Sequence, residues 1–269
     1  MKVAYVQFMP VLGGIALNLQ KMEELVEGAD AELIVLPELC NTGYLFASRQ
    51  EAEALGEEVP GGKTTEFLCR LARKKNTHLV AGLIERSGGR LFNAALLVGP
   101  AGPIATYRKI HLFYEETLWF DPGDREFAVY DIGLCRVGLM ICFDWLFPEA
   151  ARTLALKGTD IICHPANLVL PYCQEAMITR CLENRVFAVT ANRTGGETRG
   201  GKELRFTGKS QIVGPDGTIL SRADADADAV GVVDIDVKIA RVKAINPFND
   251  VFGSRRPEHY GELLIPKRP

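Results

Sequence analysis

Several features are missing from this 269-residue chain, and each absence removes a class of function. No apolar run approaches the ~20 residues that a membrane-spanning helix needs, so a membrane partner is not expected. There is no excess of positive charge. Lys and Arg number 31 against 34 Asp and Glu, a formal net charge of −3, which offers no broad attraction to nucleic acid. Basic residues fall in short groups such as Arg73-Lys74-Lys75, which reads as a solvated helix face. The seven cysteines are odd in number and contain no C-x-x-C pair. A disulfide framework is therefore not expected, and a reducing, cytoplasmic compartment is. His78, His111, His164 and His259 include no pair at metal-ligand spacing, and the neighbours Cys163 and His164 point to opposite faces of a strand. The opening MKVAYVQFMP reads as a strand and lacks the cleavage site of a signal peptide.

What is present is an ordinary globular composition, 47% apolar and 24% charged. Short β-rich runs alternate with amphipathic stretches. VAYVQF from Val3, ELIVLPE from Glu32, HLVAGLIE from His78, FNAALLVGP from Phe92 and IATYRKI from Ile104 predict strands. FAVYDI from Phe127, CRVGLMIC from Cys135, DIICHPAN from Asp160, VFAVTANR from Val186 and AVGVVDIDV from Ala229 predict more. SQIVGPDGTIL predicts a hairpin around Pro215-Asp216-Gly217. Helical spacing marks Leu17–Val26, Thr64–Lys75 with Thr64 or Thr65 as cap, Glu149–Lys157 opened by Pro148, and Glu175–Asn184. No low-complexity linker divides the chain, so residues 1–269 are expected to form one layered domain with an irregular tail at 246–269.

Three segments meet the requirements of chemistry. In Leu36-Pro37-Glu38-Leu39 a carboxylate emerges from an apolar strand, where sites form in α/β sheets; an isolated Glu there is as readily a solvated strand end. In Tyr107-Arg108-Lys109-Ile110 an ammonium between apolar neighbours could be held inside against a developing oxyanion, or could snorkel past an apolar stem. In Gly138-Leu139-Met140-Ile141-Cys142-Phe143-Asp144-Trp145 a buried strand ends at a Cys just before a helix. Such an elbow exposes a nucleophile and aims the next N–H, that of Phe143, at an oxyanion. A packed strand-end Cys is the alternative, and it holds for most cysteines.

Together the three segments resemble the nitrilase superfamily of carbon–nitrogen hydrolases. The likeness runs from VAYVQF to Arg255-Arg256-Pro257, and its pattern G-x-x-x-C-[aromatic]-D-x-x-[FY]-P-E is specific. It adds a fourth residue: a second Glu ahead of Pro122-Gly123-Asp124, for which Glu116 matches better than Glu115. The resemblance implies an α/β four-layer α-β-β-α sandwich and no metal or organic cofactor. It also implies a homodimer or larger assembly, to which the 246–269 tail contributes contacts. Cys142-Phe143-Asp144-Trp145 and His164-Pro165-Ala166-Asn167 look like the branch acting on small aliphatic amides or nitriles.

The implied chemistry is hydrolysis of a small amide through a thioester on Cys142. Glu38 moves the protons, Lys109 and the Phe143 amide hold the oxyanion, and Glu116 assists. A nitrile or an N-carbamoyl compound could use the same four residues. Tyr44, Trp145 and Asn167 are expected near the substrate, Asn167 as a hydrogen-bonding group, although core packing explains the two aromatics equally well. Glu149 and Arg152, three apart on a helix, are expected to form a structural ion pair. Two rivals stand: a Cys–His hydrolase using His111 or His164, and a catalytically silent binding member of the fold.

Overall fold

The computed structural model describes residues 1–265. In its first half β1 (Lys2–Gln7), α1 (Ile15–Glu27), β2 (Leu33–Val35), α2 (Arg49–Leu55), β3 (Glu57–Glu58), α3 (Lys63–Lys75), β4 (His78–Ser87), β5 (Arg90–Gly99) and β6 (Gly102–Arg108) follow in order. After a short α4 (Glu116–Trp119) come β7 (Val129–Asp131) and β8 (Arg136–Leu139). A 3₁₀ turn over Cys142–Leu146, α5 (Pro148–Leu156), β9 (Ile161–Pro165), α6 (Cys173–Asn184) and β10 (Phe187–Ala191) follow. The rest holds a ribbon of β11 (Gly196–Arg199) and β12 (Lys202–Arg205), the hairpin β13 (Gln211–Val213) and β14 (Ile219–Arg222), and β15 (Ala229–Asp234).

Two sheets form, with strand orders β15-β1-β2-β4-β5-β6, β3 also pairing with β4, and β14-β13-β10-β9-β8-β7. Strand alternation sorts the residues of each sheet between its two faces. Val3, Tyr5, Leu33, Val35 and Val80 join Val137, Leu139, Cys163 and Val189 in a core that draws on both sheets. The alternate residues Ala4, Val6, Ile34, Leu79 and Ala81 meet Met22, Val26, Leu68 and Leu71 of α1 and α3. Leu154 of α5 and Met177 and Cys181 of α6 pack against the second sheet. The result is the expected four-layer α-β-β-α sandwich. Strand runs buried on both faces, such as Leu33–Val35, are what a sheet covered on both sides requires.

β1, β2 and β4 run parallel, as do β8, β9 and β10. Two antiparallel steps from β4 through β5 return β6 to the same direction. Residues just beyond β2, β6, β8 and β9 therefore emerge at the carboxyl edges of the two sheets, and Glu38, Lys109, Cys142 and Asn167 are among them. No helix among the described residues is long and apolar enough to cross a membrane, and all seven cysteines are free thiols.

The expected elements are present, with shorter strands than anticipated in the second half of the chain and three corrections. Lys63 starts α3 after Gly62, and no side chain caps it; the Thr64 N–H and hydroxyl instead donate to Glu57. Glu149 and Arg152 make no ion pair, because Arg152 donates to the Glu183 carbonyl at 2.7 Å. The tail is less irregular than expected. A small ribbon pairs Ala244–Asn246 with Asn249–Asp250, and 3₁₀ turns follow up to Leu264; its last four residues lie outside the described ones.

Candidate active site

Each of the charged groups is delivered by a short, constrained piece of chain. Beyond β2, the Leu36 N–H donates to Val80 O, Gly82 donates to Pro37 O, and Cys40 donates to Gly82 O. This zipper clamps the backbone around Glu38 against β4. A Cβ on Gly82 would lie 2.4 Å from the Glu38 Cα, so glycine is required there by close approach, not by its own φ. Lys109 leaves β6 with its N–H on Asn93 O, and Gly123 N–H closes on Lys109 O at 2.8 Å. A Cβ on Gly123 would meet Arg108 O at 2.2 Å. Close packing against the lysine strand thus accounts for the glycine of Pro122-Gly123-Asp124.

Cys142 sits at an elbow. Ile141 is extended, whereas Cys142 itself has φ +40°, a left-handed conformation rarely adopted by a residue with a Cβ. Asp144 holds the turn. One carboxylate oxygen accepts the Ile141 N–H (2.8 Å) and the Tyr107 hydroxyl (2.7 Å), and the other accepts from His111 Nδ1 (2.7 Å). A single buried carboxylate thereby ties the cysteine elbow to the strand that carries Lys109. The carbonyl of Cys142 takes a hydrogen bond from His164 Nε2 at 2.9 Å, and His164 Nδ1 accepts from Thr190. Burial lowers the His164 pKa. Both histidines are committed elsewhere: His164 to a carbonyl, His111 to Asp144 and a stack on Phe147 at 3.7 Å. A Cys–His pair has no geometric support.

The three charged residues are brought together as a buried bridge. Lys109 Nζ donates to Glu38 Oε1 at 2.7 Å and to Glu116 Oε1 at 2.8 Å, and all three side chains are at most 2% exposed. Asn93 Nδ2 donates to the same Glu38 oxygen at 2.7 Å. The other oxygen, Glu38 Oε2, is buried and has no partner. Glu116 accepts from the Tyr44 hydroxyl at 2.6 Å and from the Phe113 N–H at 3.3 Å.

Two carboxylates around one cation in a desolvated space compete. Burial alone disfavours the Lys109 ammonium, but Glu116 and Glu38 reverse that and hold its pKa well above the usual lysine value. Burial raises the Glu116 carboxyl to about 7, Lys109 opposes the rise, and Glu38 adds to it. The Cys142 thiol is raised well above 9 by burial and by Glu38, with Lys109 pulling the other way. Lys109, Glu116 and Cys142 thus respond to one another and to the charge of Glu38.

Beside Cys142 lies a narrow cleft lined by Phe113, Phe143, Trp145, Asn167, Leu168 and Leu170 among others. Phe143, Trp145 and Asn167, the residues expected near a substrate, all border this cleft. Both polar atoms of the Asn167 side chain are buried without partners. Tyr44 lies beside the acid cluster, donating to Glu116 and meeting Phe206 edge-on. Sequence reasoning gave no role to Asn93, Tyr107 or Asp144, and weighed His164 only as a base for Cys142. The one available signal was a lone polar residue inside an apolar strand, which Asn93 is within Leu91–Val98.

A family model described as carbon-nitrogen hydrolase matches residues 2–244. A nitrilase from Pyrococcus abyssi is 51% identical over 262 residues, spanning 96% of this chain and 98% of that protein. The crystal structure of a carbon-nitrogen hydrolase from Helicobacter pylori superposes with a TM-score of 0.90 at 26% identity, covering 98% of each chain. An amidase mutant from Nesterenkonia sp. that carries acrylamide, joined by Michael addition at its active-site cysteine, superposes with a TM-score of 0.80. It is 25% identical over 98% of this chain and 99% of that one.

Proposed function

The chain belongs to the carbon–nitrogen hydrolase family and is a hydrolase of non-peptide C–N bonds, and on that premise we propose that it cleaves a small aliphatic amide through a thioester on Cys142. The observation that carries the reading is the division of labour within Glu38. One oxygen is pinned by Lys109 and Asn93, while the other is buried and free to take a proton.

In this reading Glu38 accepts the Cys142 thiol proton as Sγ bonds to the carbonyl carbon. The oxyanion rests between the Lys109 ammonium and the Phe143 N–H, which lies in the first turn after the elbow, where helix N–H groups lack internal partners. The C–N bond then breaks, Glu38 returns the proton to nitrogen, and ammonia leaves. Water, deprotonated by Glu38, attacks the thioester; the C–S bond breaks and releases the carboxylic acid. Glu116, tied to Lys109 and Tyr44, orients the ammonium. Asn167, with both its polar atoms unpaired, meets the substrate's own amide or a second polar group.

The cleft beside Cys142 is lined mostly by apolar side chains, which supports an uncharged acyl group. A nitrile is the second reading, favoured by the nitrilase from P. abyssi: addition would give a thioimidate that hydrolyses to the same thioester. Ammonia and acid release from matched small amides, nitriles and N-carbamoyl compounds tests the choice. Turnover of a nitrile with none of the matching amide would reverse it.

We further propose a cytoplasmic homo-oligomer. The seven free thiols support the compartment. Phe248, 91% exposed, and Leu264, 87% exposed, support tail contacts with another copy. Light scattering tests the assembly, and a monomer at micromolar concentration removes it.

A further inference from the structure

The Tyr44–Glu116 hydrogen bond joins a loop to the start of α4, and its geometry is set from outside both. The backbone N–H groups of Tyr44 and Leu45 donate to the Glu197 carboxylate at 3.2 and 2.6 Å. Glu197 is itself paired with Arg193, which is fully buried, donates to Pro10 O at 3.2 Å and lies 4.0 Å over the Phe206 ring. Glu197 stands on β11. At the other end of the same ribbon, Lys202 pairs with Glu115, the neighbour of Glu116, and Arg199 pairs with Glu51 at 2.7 Å. One ten-residue ribbon thus grips both sides of a single hydrogen bond in the active site. Its exposed sequence, Gly196–Arg205, offers almost no apolar burial to explain its presence.

We propose that Glu197, held by Arg193, is a positioning residue: it sets the Tyr44 loop so that the Tyr44 hydroxyl meets the Glu116 carboxyl. The inference rests on the proposed role of Glu116 in orienting the Lys109 ammonium, which needs the ionised carboxylate. A buried ion pair gains little over apolar packing of similar volume, so the value of this one lies in the two backbone N–H groups it orders. Glu116 is faced by Lys109, Glu38, Tyr44 and Cys142. Of these, the Tyr44 hydroxyl favours the ionised carboxylate by donating to it. Loosening Tyr44 therefore moves Glu116 upward from about 7.

The test is the pH profile of kcat/KM, followed by ammonia release from a small aliphatic amide, for the wild type, Glu197→Gln, Tyr44→Phe and the double variant. The limb that Glu116 controls should move by roughly 0.5–1 unit to higher pH in each single variant. The double variant should move no further than Tyr44→Phe alone, because the two residues act through one contact. A shift in Tyr44→Phe with none in folded Glu197→Gln overturns the inference and leaves the reading of Glu116 intact. Fully additive shifts overturn it as well. If Glu116→Gln keeps the wild-type limb, the reading of Glu116 fails and takes the inference with it. Should Glu197→Gln not fold, Lys202→Met at the half-exposed end of the ribbon decides: a smaller shift in the same direction sustains the inference, and an unchanged profile removes it.

Discussion

Arg108 and Lys109 are chain neighbours, both nearly inaccessible to solvent, yet the clusters they enter have opposite hydrogen-bond inventories. Arg108 presents its fork to Glu85 at 2.8 and 2.6 Å, to both oxygens of Asp124 at 3.0 Å, and its face to Phe92 at 3.9 Å. Both carboxylates are matched. Lys109 presents a point charge to two carboxylates and leaves Glu38 Oε2 unpaired. A rigid guanidinium suits a saturated, structural cluster, whereas an ammonium can share itself and stay responsive to protons. The contrast shows how a buried charge can be spent on stability or on reactivity one residue apart.

The largest expected effect isolates the reactive cluster from folding. Cys142→Ala should lower the rate of ammonia release by at least about 10⁴-fold while the thermal midpoint stays close to wild type. A residual rate within about tenfold, or about 1.4 kcal/mol, would strip Cys142 of its role. Lys109→Met should cost about 10²–10³ in kcat, the loss of one oxyanion donor. The neighbouring Arg108→Lys change should do the reverse. Losing the fork should lower stability in urea by about 1–3 kcal/mol, with kcat per folded molecule within about threefold. If Arg108→Lys damaged kcat as much as Lys109→Met does, the division between the two clusters would be wrong.

A smaller effect comes from linkage. The Glu116 carboxyl is raised from 4.5 to about 7 in the folded protein, so between those values the folded state holds a proton that the unfolded state has lost. The associated stability is fully present below about 4.5 and disappears as pH rises through about 7. Glu116→Gln should flatten that decline, and melting temperatures of both proteins from pH 4 to 8 measure it; parallel curves would contradict the raised value. The smallest effect is expected at the rim. Asn167→Leu should raise KM about tenfold with kcat changed little, since it removes a contact made before and during reaction alike; a kcat defect with normal KM would move Asn167 into the proton chemistry.

Much of this was legible from residue order. Glu38, Lys109 and Cys142 each end an apolar strand, and a strand end is a local property that periodicity reveals. Their partners were not legible. Asn93 meets Glu38 across 55 positions, and Glu197 meets the Tyr44 backbone across 153. The ribbon holding Glu197 has no apolar alternation, and the short helix α2, capped by Ser48, has few apolar residues to mark it. The Tyr44 bond to Glu116 is equally hidden, because an aromatic ring signals burial but not where its hydroxyl points.

The sequence by itself determined the order of the main strands and helices, the burial of the central strands on two faces, the elbow at Cys142 and the chemical types available at the strand ends. These follow from apolar spacing and from the restricted backbone of glycine and proline, both carried by neighbouring residues. Only the tertiary structure decided which lysine proton goes to which carboxylate, that Glu38 keeps one oxygen free, that both histidines are engaged elsewhere, and that Tyr44 serves Glu116. Those outcomes depend on distances of about 3 Å between side chains from different loops, which come into being when the two sheets close on one another.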